Sequence, residues 1–315
     1  METRKLDGTD EDISVLGLGT WPLAGQMGAV DRSGATRLIR SAVDRGVTLV
    51  DTAEAYGDTE SILGEALREG YREKVFLATK VSRDFSREGV RRAAETSLRA
   101  LNTDRIDLYQ LHRYEEAVPL EESLEELIRL NREGHIRYIG VSNFNKEQLR
   151  RALKAAPVVS NQINYNALNR APEEEHLDYC RERGVSVIGH SSLAKGLLTG
   201  KYKPGHRFAP DDERSDFPGY YGDALAHYLA AVESVAEVAR GRGLTPTQAA
   251  ISWVLAREEV ASVLVGPKNE KQLAESIEAA GALSPAERGE LRKDLDGVLH
   301  RHNLPPLCPF PDQLV

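Results

Sequence analysis

"GVTLVDTAEAYGDTE" (residues 46–60) begins with an apolar run and then sets Asp51 and Tyr56 where a buried strand would meet solvent. The same order recurs about every thirty residues: a short β-rich run, a polar loop, an amphipathic stretch, then a glycine or charged turn. Eight runs qualify as strands, at 13–20, 47–51, 75–80, 106–112, 137–142, 158–163, 185–190 and 261–266. Centres such as "VFLA", "VSVIG" and "SVLVG" are almost continuously apolar, as expected of strands covered on both faces. Helical patterns fit between them. Residues 33–45 put Ala35, Leu38, Ile39 and Ala42 on one face and stop at Gly46. Residues 120–133 stop at Gly134, and 172–183 begin on Pro172 and stop before Gly184. Strand–helix alternation repeated eight times favours an α/β fold of the (β/α)8 TIM-barrel type. A doubly wound open sheet is the alternative, but it usually has fewer strands.

The 315 residues suit one barrel domain spanning 1–315, and no linker, low-complexity segment or helical repeat interrupts them. A long segment, 191–260, separates the last two strands. It starts with the loop "KGLLTGKYKPGHRFAPDDERSDFPGYYG" and continues in helices at 223–240 and 247–257. Helices at 270–280 and 284–300 and a proline-rich tail, "LPPLCPFPDQLV", follow the last strand. Loop and tail are candidate pocket walls, with plain surface packing as the alternative.

A net charge of −8 gives the surface as a whole no attraction for nucleic acid or anionic lipid, yet leaves room for a local basic pocket. Cys180 and Cys308 lie far apart with no CxxC pattern, which fits a reducing compartment. With no signal-peptide core and no run long enough to span a bilayer, the sequence reads as soluble and cytoplasmic, with no nucleic-acid or membrane partner. Nothing in it indicates an oligomer.

In a (β/α)8 barrel the C-terminal strand ends surround one pit. Here they carry Gly19-Thr20-Trp21, Asp51 with Tyr56 in its loop, Lys80, His112, Ser142-Asn143, Gln162, His190-Ser191 and Gly266 followed by Lys268. Singly, Tyr56 reads as loop packing, Lys80 as a solvated strand end and His112 as a satisfied buried histidine. Jointly, an acid, a tyrosine, a lysine and a histidine on three consecutive strand ends read as a site. A buried lysine and aspartate must pair. An ammonium beside the phenol predicts a lowered Tyr56 pKa and a general acid near neutral pH. Neutral His112 could orient a carbonyl oxygen. These groups supply no hydride, so a cofactor must.

At this point the chain resembles the aldo-keto reductases over nearly its whole length. The resemblance rests on "GLGTWPLAG", "DTAEAYGDTESILGEAL", "FLATKV", "DLYQLHR", "IRYIGVSNF", "NQINYN", "IGHSSLAKGLLTGKY" and "LVGPKNEKQLAES". It implies a barrel with an N-terminal hairpin and extra C-terminal helices, reducing aldehydes or ketones to alcohols. Tyr56 would donate the proton, tuned by Asp51 and Lys80, and His112 would orient the substrate. Ser142, Asn143 and Gln162 would hold the nicotinamide carboxamide, with Gly19, Thr20, Trp21 and Asp51 near the ring and ribose. His190 stands where the family usually stacks a tyrosine or tryptophan. Ser191, Leu193, Lys195, Gly196 and Lys201 would line the pyrophosphate. Gly266, Lys268, Gln272, Glu275 and Ser276 would hold the adenosine end, Ser276 replacing the family's asparagine. Lys268 favours NADPH over NADH, as a point charge for the 2′-phosphate. Trp21, Tyr114, Phe144, Tyr220 and Tyr221 are candidate substrate walls, the substrate being a small-molecule carbonyl compound.

Several motifs fail on inspection. "GLLTGK" is too short for a P-loop, and Tyr202 follows it where Ser or Thr is needed. "GHSSL" has Leu193 in place of the nucleophile elbow's final glycine. His176 and Cys180 alone do not make a zinc site, so no metal is expected. The rival reading is a cofactor-binding regulatory subunit, because some relatives serve potassium channels and "SSLAKGLLTGKY" is similar to their segment. The barrel pattern begins almost at residue 1, which favours an enzyme. A Schiff-base aldolase using Lys80 is a weaker alternative.

Overall fold

Alternation along each strand sends successive side chains to opposite faces, so a closed sheet has an inner and an outer apolar layer. The structure, a computed structural model, describes residues 1–25, 31–304 and 307. Its barrel strands are β3 (Leu16–Gly19), β4 (Leu49–Asp51), β5 (Phe76–Val81), β6 (Ile106–Leu111), β7 (Ile136–Ser142), β8 (Val158–Asn164), β9 (Ser186–His190) and β10 (Val260–Val265). Each pairs in parallel with the next, and β10 closes on β3. The connections carry α1 (Arg32–Asp44), α2 (Thr59–Ala66), α3 (Arg87–Leu101), α4 (Leu120–Arg132), α5 (Lys146–Ala155) and α6 (Pro172–Glu182). Two helices, α7 (Gly222–Gly241) and α8 (Pro246–Leu255), separate β9 from β10, and α9 (Glu270–Gly281) and α10 (Pro285–Leu299) follow. α7 and α10 pack on α8 and on each other.

The inner layer includes Leu49, Phe76, Ala78, Leu108, Ile188 and Leu264. Each such large apolar side chain, fully buried, contributes roughly 2 kcal/mol. The outer layer, between strands and helices, holds Val50, Leu77, Tyr109, Leu111 and the apolar faces of the helices.

The strand expected at 13–20 is two elements. β1 (Thr3–Lys5) and β2 (Asp12–Ser14) form an antiparallel hairpin, and only residues 16–19 belong to the barrel. The apolar run hides the break because both pieces are buried. Leu6 and Ile13 of the hairpin segment join the inner layer and plug the barrel's N-terminal end. At the junction Ser14 N donates to Thr48 Oγ1 (2.8 Å), Thr48 N donates to Ser14 Oγ (2.9 Å), and Ser14 Oγ donates to the Leu16 carbonyl (2.7 Å). Among the described residues no helix is long and apolar enough to cross a membrane.

Candidate active site

Two residues beyond the inner apolar layer, the same strand faces turn polar: Leu49 leads to Asp51, Ala78 to Lys80, Leu108 to Gln110 and His112, Ile188 to His190. Asp51, His112 and His190, with Ser142 and Gln162 on β7 and β8, line a cavity of about 490 Å³ at the C-terminal mouth, and Lys80 and Gln110 lie outside its lining.

At the inner end Lys80 Nζ donates to Asp51 Oδ1 (2.6 Å) and to the Thr52 carbonyl (2.9 Å), with both charged side chains buried. Asp51 Oδ2 also accepts from Gln162 Nε2 (2.9 Å) and Gln110 Nε2 (3.3 Å). Burial draws the Lys80 ammonium below its ordinary pKa, and Asp51 opposes that fall. The Tyr56 ring lies 5.2 Å from Lys80 Nζ, 4.8 Å from the Trp21 ring and 5.6 Å from the His112 ring. Its pKa departs from the sequence expectation. Burial, then Asp51 and Glu213, push the phenol well above its ordinary value instead of lowering it. Two of the lysine's three hydrogens go to Asp51 and Thr52, and the deeply buried phenol meets the Asp51 charge as well as the ammonium. Tyr56 therefore stays protonated throughout the neutral range, as a proton donor must.

Burial, then Lys80, hold the His112 imidazole well below its ordinary pKa, so it is neutral. His190 is pushed down to about 3, by burial first and then by Lys80 and Lys195. His190 Nε2 is 2.9 Å from Asn143 Oδ1, which can only accept, so Nε2 carries the hydrogen. Asn143 Nδ2 in turn donates to the His112 carbonyl (3.3 Å) and to Ser142 Oγ (3.1 Å). Asn143, Ser191, Ala194 and Lys195 all have left-handed backbones, four of the seven such non-glycine residues described. Strain of this kind gathers at functional sites.

At the outer end Ser191, Leu193, Lys195, Gly196, Lys201, Gly266, Lys268, Gln272, Glu275 and Ser276 line the same cavity. A Cβ on Gly266 would lie 2.4 Å from Pro22 Cγ, so only glycine fits there. Burial, then Arg214 and Lys201, lower the Lys268 pKa, the signature of cations crowded together. The sequence reading missed Arg214, Glu213 and Thr247. Arg214 pairs with Asp212 and donates from Nη1 to the Lys195 carbonyl (3.0 Å) and Tyr202 hydroxyl (2.6 Å). Glu213 Oε1 accepts from Lys195 Nζ (2.7 Å) and Trp21 Nε1 (2.9 Å), drawing the long loop across the mouth. For Glu213 and Arg214 the signal was the charge run "DDER" in a loop without periodicity, and Thr247 lies in the first turn of α8.

Five expected contact residues do not line the cavity. Thr20 is fully buried, its hydroxyl donating to the Asp51 carbonyl (3.1 Å), so it braces the strand end. Phe144 is 1 % exposed and belongs to the outer core, turned there by the left-handed backbone of Asn143 after β7 ends. Tyr114 packs edge-on to Phe144 and accepts from Arg151 through its hydroxyl (2.7 Å). Tyr220 is buried and donates to the Ala194 carbonyl (3.1 Å), whereas Tyr221 points to solvent, 53 % exposed. Lys80 also lies beneath the cavity floor. Most of the proline-rich tail, Cys308 included, falls outside the described residues. Among the described residues no group of three or more His, Cys, Asp or Glu could hold a metal ion.

The sequence model of the aldo/keto reductase family matches residues 15–293. Aldo-keto reductase YhdN of Bacillus subtilis (strain 168) is 36% identical over 323 residues, covering 98% of this chain and 97% of its own. The glycerol dehydrogenase AKR11B4 from Gluconobacter oxydans superposes with a TM-score of 0.87 at 33% identity, over 98% of each chain. Aldo-keto reductase AKR11C1 from Bacillus halodurans, in its holo form, gives 0.80 at 29% identity, over 95% of this chain and 96% of that one.

Proposed function

The chain belongs to the aldo-keto reductase family of oxidoreductases, and from that premise we propose that it reduces a small aldehyde or ketone to the alcohol with NADPH, Tyr56 giving the proton. The observation that carries this reading is the Asp51–Lys80 pair beneath Tyr56 and His112, at the inner end of a cavity whose outer end gathers Lys201, Arg214 and Lys268. Amide and hydroxyl groups sit inside and cations outside, which is the donor set a nicotinamide dinucleotide phosphate needs. Ser142, Asn143 and Gln162 would hold its carboxamide, Gly266 would let its backbone approach closely, and Lys268 would pair with the 2′-phosphate. When bound, the cofactor supplies the hydride to the carbonyl carbon. Neutral His112 orients the carbonyl oxygen, and Tyr56 protonates that oxygen as negative charge develops on it. The Lys80 ammonium, 5.2 Å from the Tyr56 ring, would offset the charge of the phenolate left behind, against the opposing charge of Asp51. Oxidation of a small alcohol, the activity in the Gluconobacter relative's name, would use the same groups in reverse.

The test follows NADPH absorbance against a panel of aldehydes and ketones, for the native chain and Tyr56→Phe. The variant should bind NADPH with unchanged affinity and lose turnover by about 100-fold or more. Near-normal turnover in the variant, or no carbonyl accepted by the native chain, overturns the proposal.

A further inference from the structure

Ser82 follows β5, two residues beyond Lys80, and its side chain turns toward the end of β6. Its Oγ lies 2.6 Å from Nδ1 of His112, and both residues are nearly sealed from solvent, 2 % and 4 % exposed. The Ser82 backbone is fixed from two sides. Its N–H donates to Glu54 Oε2 (2.9 Å), and its carbonyl accepts from Arg113 Nη1 (2.9 Å). Among the described residues Ser82 Oγ has no other hydrogen-bond partner.

A neutral imidazole carries one hydrogen, and two arrangements share this contact. If Nδ1–H donated to Oγ, the serine's own hydrogen would be buried without an acceptor, at a cost of roughly 1–3 kcal/mol. If Oγ–H donates to Nδ1, the hydroxyl is satisfied and the ring hydrogen sits on Nε2. Nδ1 is the nitrogen taken up by the serine, and His112 lines the cavity, so Nε2 is the nitrogen left for a ligand.

We infer that Ser82 is a positioning residue that locks His112 in the Nε2–H tautomer, making the imidazole a hydrogen-bond donor to the substrate's carbonyl oxygen. The opposite tautomer would present a lone pair to that oxygen and repel it. The catalytic half of this statement rests on the carbonyl-reductase reading; the tautomer does not.

The experiment measures the two ring ¹⁵N shifts of His112 in the native protein and in Ser82→Ala, assigning the signal by its loss in His112→Asn. The native protein should show Nε2–H alone, and S82A should show a fraction of Nδ1–H. In parallel, kcat for carbonyl reduction should fall roughly tenfold or more in S82A, by analogy with the loss when the outer partner of a metal-bound histidine is removed. NADPH affinity, read by fluorescence quenching, should not change. A native Nδ1–H tautomer overturns the inference, as does an S82A protein with unaltered shifts and full kcat. A tautomer shift in a protein that reduces no carbonyl would uphold the lock while refuting the proposed reaction.

Discussion

Lys268 leaves the end of β10 just after Gly266 and Pro267, its backbone N–H held by Gln272 Oε1 at 2.8 Å. It lines the outer end of the cavity, half-buried, beside Arg214 and exposed Lys201. That position makes it the cation proposed to meet an extra phosphate. Lys268→Ala should weaken NADPH binding roughly 10- to 100-fold, the worth of one charged hydrogen bond, and leave NADH nearly untouched. Fluorescence titration with both nucleotides checks this, and equal losses remove the assignment. The lowered pKa adds a sign. The site needs the protonated amine, so NADPH affinity should fade on the alkaline side at a lower pH than a solvated lysine would allow. Sequence made Lys268 legible because it follows closely on a strand end, three positions past Val265, which places it at the mouth. It could not reveal the direction of the Tyr56 shift, which depends first on how deeply the fold buries the phenol.

Between elements, the decisive contacts are close backbone approaches. α2 and α3 meet at Gly64, where an added Cβ would lie 2.4 Å from the Ala100 carbonyl oxygen and 2.8 Å from the Leu101 carbonyl carbon. Both are backbone atoms and cannot rotate away. Gly64→Ala would raise intrinsic helix propensity in α2, yet it should destabilise the protein by about 1–3 kcal/mol through overpacking. Urea unfolding should show a lower midpoint at constant slope; an unchanged or higher midpoint would mean that the helices simply move apart. Sequence patterns at this scale located the strands better than the helices. Apolar runs such as "VFLA" need only be short and continuous, and the barrel strands lie where they predict, except that the first run is split between β2 and β3. α2, α3 and α5 went unlocated, although α3 starts on Ser86, which accepts from Gly89 N, and α5 on a capping box between Asn145 and Gln148. Those caps were readable. The crossing at Gly64 was not, because helical periodicity says nothing about how closely two helices approach.

At the scale of the molecule, barrel closure turns local alternation into a site: Gln162 meets Asp51 across 111 residues because β4 and β8 belong to one ring. Where β7 ends the alternation stops: Ser142 and Asn143 both line the cavity, and after the left-handed turn at Asn143 the Phe144 ring falls in the core. Closure and the helices packed on the barrel also enclose histidines in neutral form, which sets an acid limit on stability. Burial alone pushes His176 down to about 4, and burial with nearby cations takes His190 to about 3 and His112 well below its ordinary 6.5. Below pH 6.5 the unfolded chain binds protons that the native state refuses, so stability must fall as pH falls, by about 1.4 kcal/mol per pH unit for each such histidine. For His176 the fall ends near pH 4, where the native ring also titrates. Asn161 Nδ2, 2.7 Å from His176 Nε2, can only donate there, so protonating the ring would break that bond. His176 does not line the cavity, which makes it the clean probe. His176→Gln should remove up to one proton's worth of slope from unfolding free energy against pH between 6.5 and 4, measured by urea denaturation at a series of pH values. Any loss of packing would move the whole line without changing its gradient. An identical gradient in the two proteins would mean that His176 titrates in the native state as it does in the unfolded one, and that its burial is not sustained in solution.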